Sequence, residues 1–169
     1  GTVEYERDAG GYPEPVSEAL VQKVNIDFTE VWSNQFGAEN ADETGFNADN
    51  SVNTIEQTSD DGYILTGWTD YTGLGVSDLW VVKLTSGGEK EWEKSYDAGY
   101  TDRGYSIKQV SGGGYIAAGS RYNYEAGDYD FWILKLDGEG ELQWDMTYNG
   151  NDGSEDEIRS ICQTQDGGY

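Results

Sequence analysis

Acids, amides and tyrosines crowd particular stretches of this chain. The segment NGNDGSEDE (149–157) gathers Asn149, Asn151, Asp152, Asp156 and Glu157. Oxygen donors among glycines suit a hard cation such as Ca2+, which draws ligands from carboxylates, amides and carbonyls. The spacing departs from an EF-hand loop, and a solvated acidic loop reads the same way. A second stretch, RYNYEAGDYD (121–130), brings together Tyr122, Tyr124, Asp128 and Tyr129. Exposed rings beside carboxylates offer stacking platforms to carbohydrate or another polymer. The same rings also suit packing between neighbouring loops.

Other chemistry is poorly supplied. The chain has no histidine, which removes Ser-His-Asp and Cys-His catalysis and the commonest zinc ligand. Carboxylate pairs permit glycoside hydrolysis, but among 33 Asp and Glu a pair carries no information. A non-catalytic role is expected. The net charge of −23 repels phosphates and anionic lipid, so neither nucleic acid nor a membrane surface fits as partner. No stretch is long and apolar enough for membrane insertion. The acidity fits bound cations, a salt-rich solvent, or simply a self-repelling soluble surface. The single cysteine, Cys162, sits in an apolar alternating pattern, so a buried thiol is expected.

The elements that must position these loops are written more than once. DLWVVKLTSGGEKEW (78–92) returns as DFWILKLDGEGELQW (130–144). Trp80 and Trp132, Lys83 and Lys135, Trp92 and Trp144, and Tyr63 and Tyr115 each stand 52 residues apart. A third copy opens with Ser160, Ile161 and Gln163 and reaches Gly167-Gly168-Tyr169, at a step of 54. A fainter earlier copy places Lys23 nine residues before Trp32, as Lys83 stands nine before Trp92. Repeats of this length build solenoids, propellers or arrays.

Each full copy predicts four short strands with glycine-rich turns, as in YSIKQV, GYIAAGS, DFWILKLD and ELQWDMTY of residues 105–148. In 131–136, Phe131 and Ile133 point one way and Trp132, Leu134 and Leu136 the other, so both faces are apolar. A sheet stacked between like sheets must bury both faces, which describes a propeller blade better than a sandwich strand. The expectation is an all-β chain: a β-propeller with four-stranded blades of about 52 residues, and a stacked solenoid as the rival. The divisions are an acidic extension (1–19), strands completing a closing blade (20–35), two blade repeats (52–96 and 105–148), and the start of a third (158–169). A ring needs about 4–8 blades, so the chain reads as the N-terminal portion of a larger ring.

The motif DxWxxKLxxxGExxW, followed by SIxQxxxGGYIxxG, resembles the β-propeller repeats of secreted and surface proteins of bacteria and archaea. The resemblance covers about residues 20–169 and implies an extracellular or cell-envelope location. The chain is also distantly similar to the tryptophan-docking repeat of quinoprotein dehydrogenases. Here Asp137 precedes Trp144 by one residue fewer than in that pattern, and the quinone-contacting residues find no counterpart.

Connections alternate in length. The tight ones fall at 59–62, 86–89, 111–114 and 138–141. The long ones fall at 36–51, 69–77, 97–104, 121–129 and 149–157. Antiparallel strands turn at alternating ends, so every long loop should project from one end. The function expected is a binding or structural module presenting one acidic, tyrosine-rich loop face, with Ca2+ as its one cofactor. Its partners would be protein or carbohydrate surface ligands, or copies of itself. Rival readings are a dehydrogenase or glycan-active propeller, and a subunit of an extracellular filament or lattice. Trp32, Trp92 and Trp144 are expected to pack between repeats, Lys83 and Lys135 to snorkel or pair with acids, and Asp78 and Asp130 to hold local backbone amides.

Overall fold

The computed structural model describes residues 18–37, 49–70, 75–149 and 156–169. Ten strands form three antiparallel sheets, and the described residues contain no helix. The first sheet pairs β1 (Ala19–Val24) with β2 (Glu30–Phe36). The second is a meander of β3 (Asp49–Gln57), β4 (Tyr63–Asp70), β5 (Asp78–Leu84) and β6 (Lys90–Tyr96). The third repeats that order with β7 (Asp102–Gln109), β8 (Tyr115–Asn123), β9 (Asp128–Leu136) and β10 (Leu142–Tyr148). Register repeats as well: Gly67 lies opposite Trp80, and Gly119 opposite Trp132.

The tight turns share one construction. Thr58 N donates to Gly62 O at 2.9 Å and Asp61 N to Thr58 O at 3.0 Å; the turns at 85–89, 110–114 and 137–141 repeat both bonds. The fourth residue of each takes a positive φ, 65° at Asp61 and 85°, 92° and 79° at Gly88, Gly113 and Gly140. Glycine enters that region without steric penalty, and Asp tolerates it better than most residues.

Burial on both faces follows from the strand alternation. Leu65, Trp80, Val82 and Leu84 meet Ala19, Val21 and Phe36 of the first sheet. From the opposite face, Ile64, Leu79, Val81 and Tyr96 meet Ile107, Tyr115, Ala117, Trp132, Leu134 and Leu136 of the third. Each fully buried aliphatic side chain here contributes about 1.5–3 kcal/mol of transfer free energy. The outer face of the third sheet places Val110, Ile116 and Ala118 against Ile161, with Ile133 and Ile158 alongside.

The tryptophans seal these stacks at the tight-turn end. Trp32 meets Tyr63 edge-on at 5.6 Å, Trp92 meets Tyr115 at 5.9 Å, and Trp144 meets Tyr169 at 5.9 Å. The Trp32 and Trp92 rings also lie against the turn glycines Gly88 and Gly140 of the following sheet. Trp92 and Trp144 therefore make equivalent contacts with the tyrosine of the following copy, and Trp144 is the more exposed of the two.

Residues 156–169 form no strand but dock in the repeat's register. Gln163 Oε1 accepts from Ser111 N at 2.8 Å, just as Gln109 Oε1 accepts from Ser59 N at 2.8 Å. The expectation of a buried Cys162 is corrected here: its side chain is exposed. Alternation turns Ile161 into the interface and its neighbour Cys162 out.

Candidate functional site

The strand ends that lead into and out of the long connections lie at one end of the antiparallel sheets, opposite the tight turns. Three acids meet there. Asp78 opens β5, Asp97 follows β6, and Asp102 opens β7. One carboxylate oxygen of each lies within 4.8 Å of the others. Backbone pairing forces the approach: Asp102 N donates to Ser77 O at 2.6 Å, joining the third sheet to the segment leading into β5. Asp102 is 0% exposed; its Oδ2 accepts from Ala98 N at 2.7 Å, while Oδ1 is buried with no hydrogen-bond donor.

The electrostatics match that crowding. Burial pushes the Asp102 carboxyl up to about 7, and the charges of Asp97 and Asp78 add to the rise against the Ala98 amide and Arg121. Burial also lifts Asp78 to about 6, helped by Asp97 and Asp70. Arg121, opposite Asp102 in register, spends its guanidinium on Thr147 Oγ1 at 3.3 Å and Ala98 O at 3.4 Å and lies over the Trp132 ring.

The neighbouring junction carries the same positions with different residues. Asp130, Asn149 and Asp156 are the counterparts of Asp78, Asp97 and Asp102 by steps of 52, 52 and 54. Asp156 N donates to Tyr129 O at 2.8 Å, reproducing the Asp102–Ser77 bond. Asp130 is 3% exposed; its Oδ2 accepts from Asn123 Nδ2 at 2.9 Å and its Oδ1 has no donor. The expected hold on local backbone amides is thus replaced, at Asp130, by a side-chain amide. Of the residues read from sequence as a cation loop, Asn149 is exposed beyond β10 and Asp156 stands at this junction. Glu157 accepts from Tyr105 Oη at 3.0 Å and pairs with Arg159. Asn151 and Asp152 lie outside the described residues.

The tyrosines gather beside the acids. Tyr100 stacks on Tyr124 with centroids 5.1 Å apart and planes 7° apart, and meets Tyr122 edge-on at 6.0 Å. Tyr122 meets Tyr129 edge-on at 5.2 Å. Tyr124 is 69% exposed, whereas Tyr122 and Tyr129 are half-buried. Asp128 is buried behind them and pairs in register with Asn123. Tyr100, Tyr122, Asn123, Tyr124, Glu125 and Asp130 line an open cleft of about 390 Å³.

At the opposite end, the repeated lysines stand in contrasting surroundings. Lys83 is buried, with Nζ 2.9 Å from Asp60 Oδ2 and 2.7 Å from Glu91 Oε2. Burial alone would lower its pKa; the bonds to Glu91 and Asp60 outweigh that and raise it. Lys135 instead donates to Leu136 O at 2.8 Å, Gln143 Oε1 at 3.2 Å and Gly113 O at 3.5 Å. Its pKa is lowered by burial, with only Asp137 opposing.

The sequence reading places Asp78 at the mouth of a strand and 97–104 in a long connection, and does not join Asp97 and Asp102 to Asp78. The available signal was the repeat step, which lays the denser 149–157 stretch over the sparser 97–103. No protein-family model matches this chain, and no curated protein matches it.

Proposed function

We propose that this chain is a non-catalytic, extracellular or cell-surface binding module of the β-propeller kind. Each four-stranded sheet is one blade, and the long-loop end is the binding face. The ligand class that fits is a neutral carbohydrate. The observation that carries the reading is the open cleft in which stacked Tyr100 and Tyr124 stand beside Asn123, Glu125 and Asp130. Flat aromatic faces pack on the C–H faces of sugar rings, and the exposed Glu125 carboxylate is placed to accept from their hydroxyls. Anionic glycans are disfavoured by the surrounding acids. The stacked sheets supply the rigid scaffold on which such loops function.

The experiment is a screen of neutral and acidic oligosaccharides, followed by calorimetry on the hits. Tyr124→Ala should weaken binding at least tenfold while leaving the melting temperature nearly unchanged, because its ring is mostly exposed. Absence of any glycan ligand, or binding indifferent to Tyr124→Ala, overturns the reading.

A second reading is assembly with copies of itself. The exposed apolar side chains Leu20, Val24 and Val31 on the open side of the first sheet favour it. Sedimentation that finds only monomer at high concentration removes it.

A further inference from the structure

We propose that Asp78, Asp97 and Asp102 bind one Ca2+ ion, which ties the second sheet to the third at the loop-bearing end. The first observation is convergence. Three carboxylate oxygens from β5, the β6–β7 connection and β7 lie within 4.8 Å of one another. Oxygens at about 2.3–2.6 Å from one Ca2+ ion span that separation. The second observation is independent of the clustering. Asp102 is wholly buried, yet its Oδ1 has no hydrogen-bond donor. A buried carboxylate oxygen left without a partner costs stability, and a cation supplies the missing one.

The donor set selects the metal. All three groups are hard oxygens, and the chain has no histidine, which disfavours zinc and copper. Asp97 is exposed and Asp78 half-buried, so one side of the site is open to water. Ca2+ accepts such irregular, partly hydrated geometry, whereas Mg2+ demands a near-ideal octahedron.

The repeat explains why this junction differs from its neighbours. In the preceding copy, Glu18, Gly37 and Asn50 take the positions of Asp78, Asp97 and Asp102. A side chain added at Gly37 would meet Asn50 Nδ2 and Glu18 Cγ, both at 3.1 Å, so those three positions also converge in space. There an amide stands in place of the buried acid. In the following copy Asn149 replaces Asp97, so a neutral amide stands where the third carboxylate would be. Among the described residues, only the central junction assembles three carboxylates. The role is structural and separate from glycan binding; either can fail alone.

The test uses the full chain stripped with EGTA and then titrated with CaCl2 alone, followed by calorimetry and thermal melting. One ion should bind per chain and raise the melting temperature. Equal concentrations of Mg2+ should raise it much less. Asp97→Asn, at an exposed position that does not threaten folding, should lower Ca2+ affinity at least tenfold. In EGTA the same variant should melt no lower than the parent, since it removes one of three mutually repelling charges. The proposal is overturned if Ca2+ leaves melting unchanged. It is equally overturned if Mg2+ or Asp97→Asn matches the parent with Ca2+, for the gain is then only screening of an acidic surface.

Discussion

The second and third sheets are two versions of one text, and they agree in packing while disagreeing in charge. Trp80 and Trp132, Leu84 and Leu136, and Tyr63 and Tyr115 occupy like places in successive interfaces. Lys83 and Lys135 also hold one position, yet their pKa values move in opposite directions. The cause lies in the neighbouring strand and turn: Asp60, in the turn before β4, and Glu91, on β6, become Gly112 and Gln143 in the other sheet. Packing against a neighbouring sheet constrains shape in every copy. Charge pairing needs only local compensation, which carboxylates or neutral acceptors both provide.

The largest effect that tests this comparison comes from the tryptophans. Trp92→Ala should cost about 3 kcal/mol, because the ring packs on Tyr115 and the Gly140 turn of the next sheet. Trp144→Ala, at a ring 40% exposed, should cost about 1 kcal/mol. Urea midpoints of the two variants measure the difference; equal losses would break the account of inter-sheet sealing.

Removing the lysine charge should separate the sheets next. Lys83→Met leaves Asp60 and Glu91 facing each other without their cation and should cost about 1–2 kcal/mol, discounted because both acids are partly exposed. Lys135→Met should be close to neutral, within about 0.5 kcal/mol, as only neutral acceptors lose a donor. A larger loss at Lys135 than at Lys83 would invert the comparison.

The smallest effect is pH-dependent. The Thr58 hydroxyl, and after it Lys83, hold the Asp60 carboxyl well below its usual range. A carboxyl depressed on folding adds stability above its unfolded pKa, about 3.9, and loses it as pH falls through the lower folded value. Asp60→Asn should therefore be less stable than the parent at neutral pH, with the deficit shrinking below about pH 4. A deficit constant down to the acid transition would show that the charge is not involved.

Much of the architecture was legible in the residues. The parity of Trp132, Ile133 and Leu134 gave two buried faces, and the glycine pairs marked turns that do use positive φ at Gly88, Gly113 and Gly140. The acidic site was harder to read. Asp102 reaches Asp78 only through the bond from its amide to Ser77 O, a contact between sheets that no local pattern encodes. The density of acids draws attention to 149–157, where Glu157 accepts from Tyr105 and pairs with Arg159, while Asn151 and Asp152 lie outside the described residues. Cys162 was misread because an apolar neighbourhood in sequence does not say which parity faces the interface.

Stacking of equivalent repeats is tested most directly by proton NMR contacts of the tryptophan rings. The Trp92 indole should show cross-peaks to the Tyr115 ring and to the α-protons of Gly140, and Trp32 should show the matching set to Tyr63 and Gly88. Both pairs of glycine α-protons should be displaced by the ring currents. Cross-peaks from Trp92 confined to its own sheet, or a set unlike that of Trp32, would contradict it.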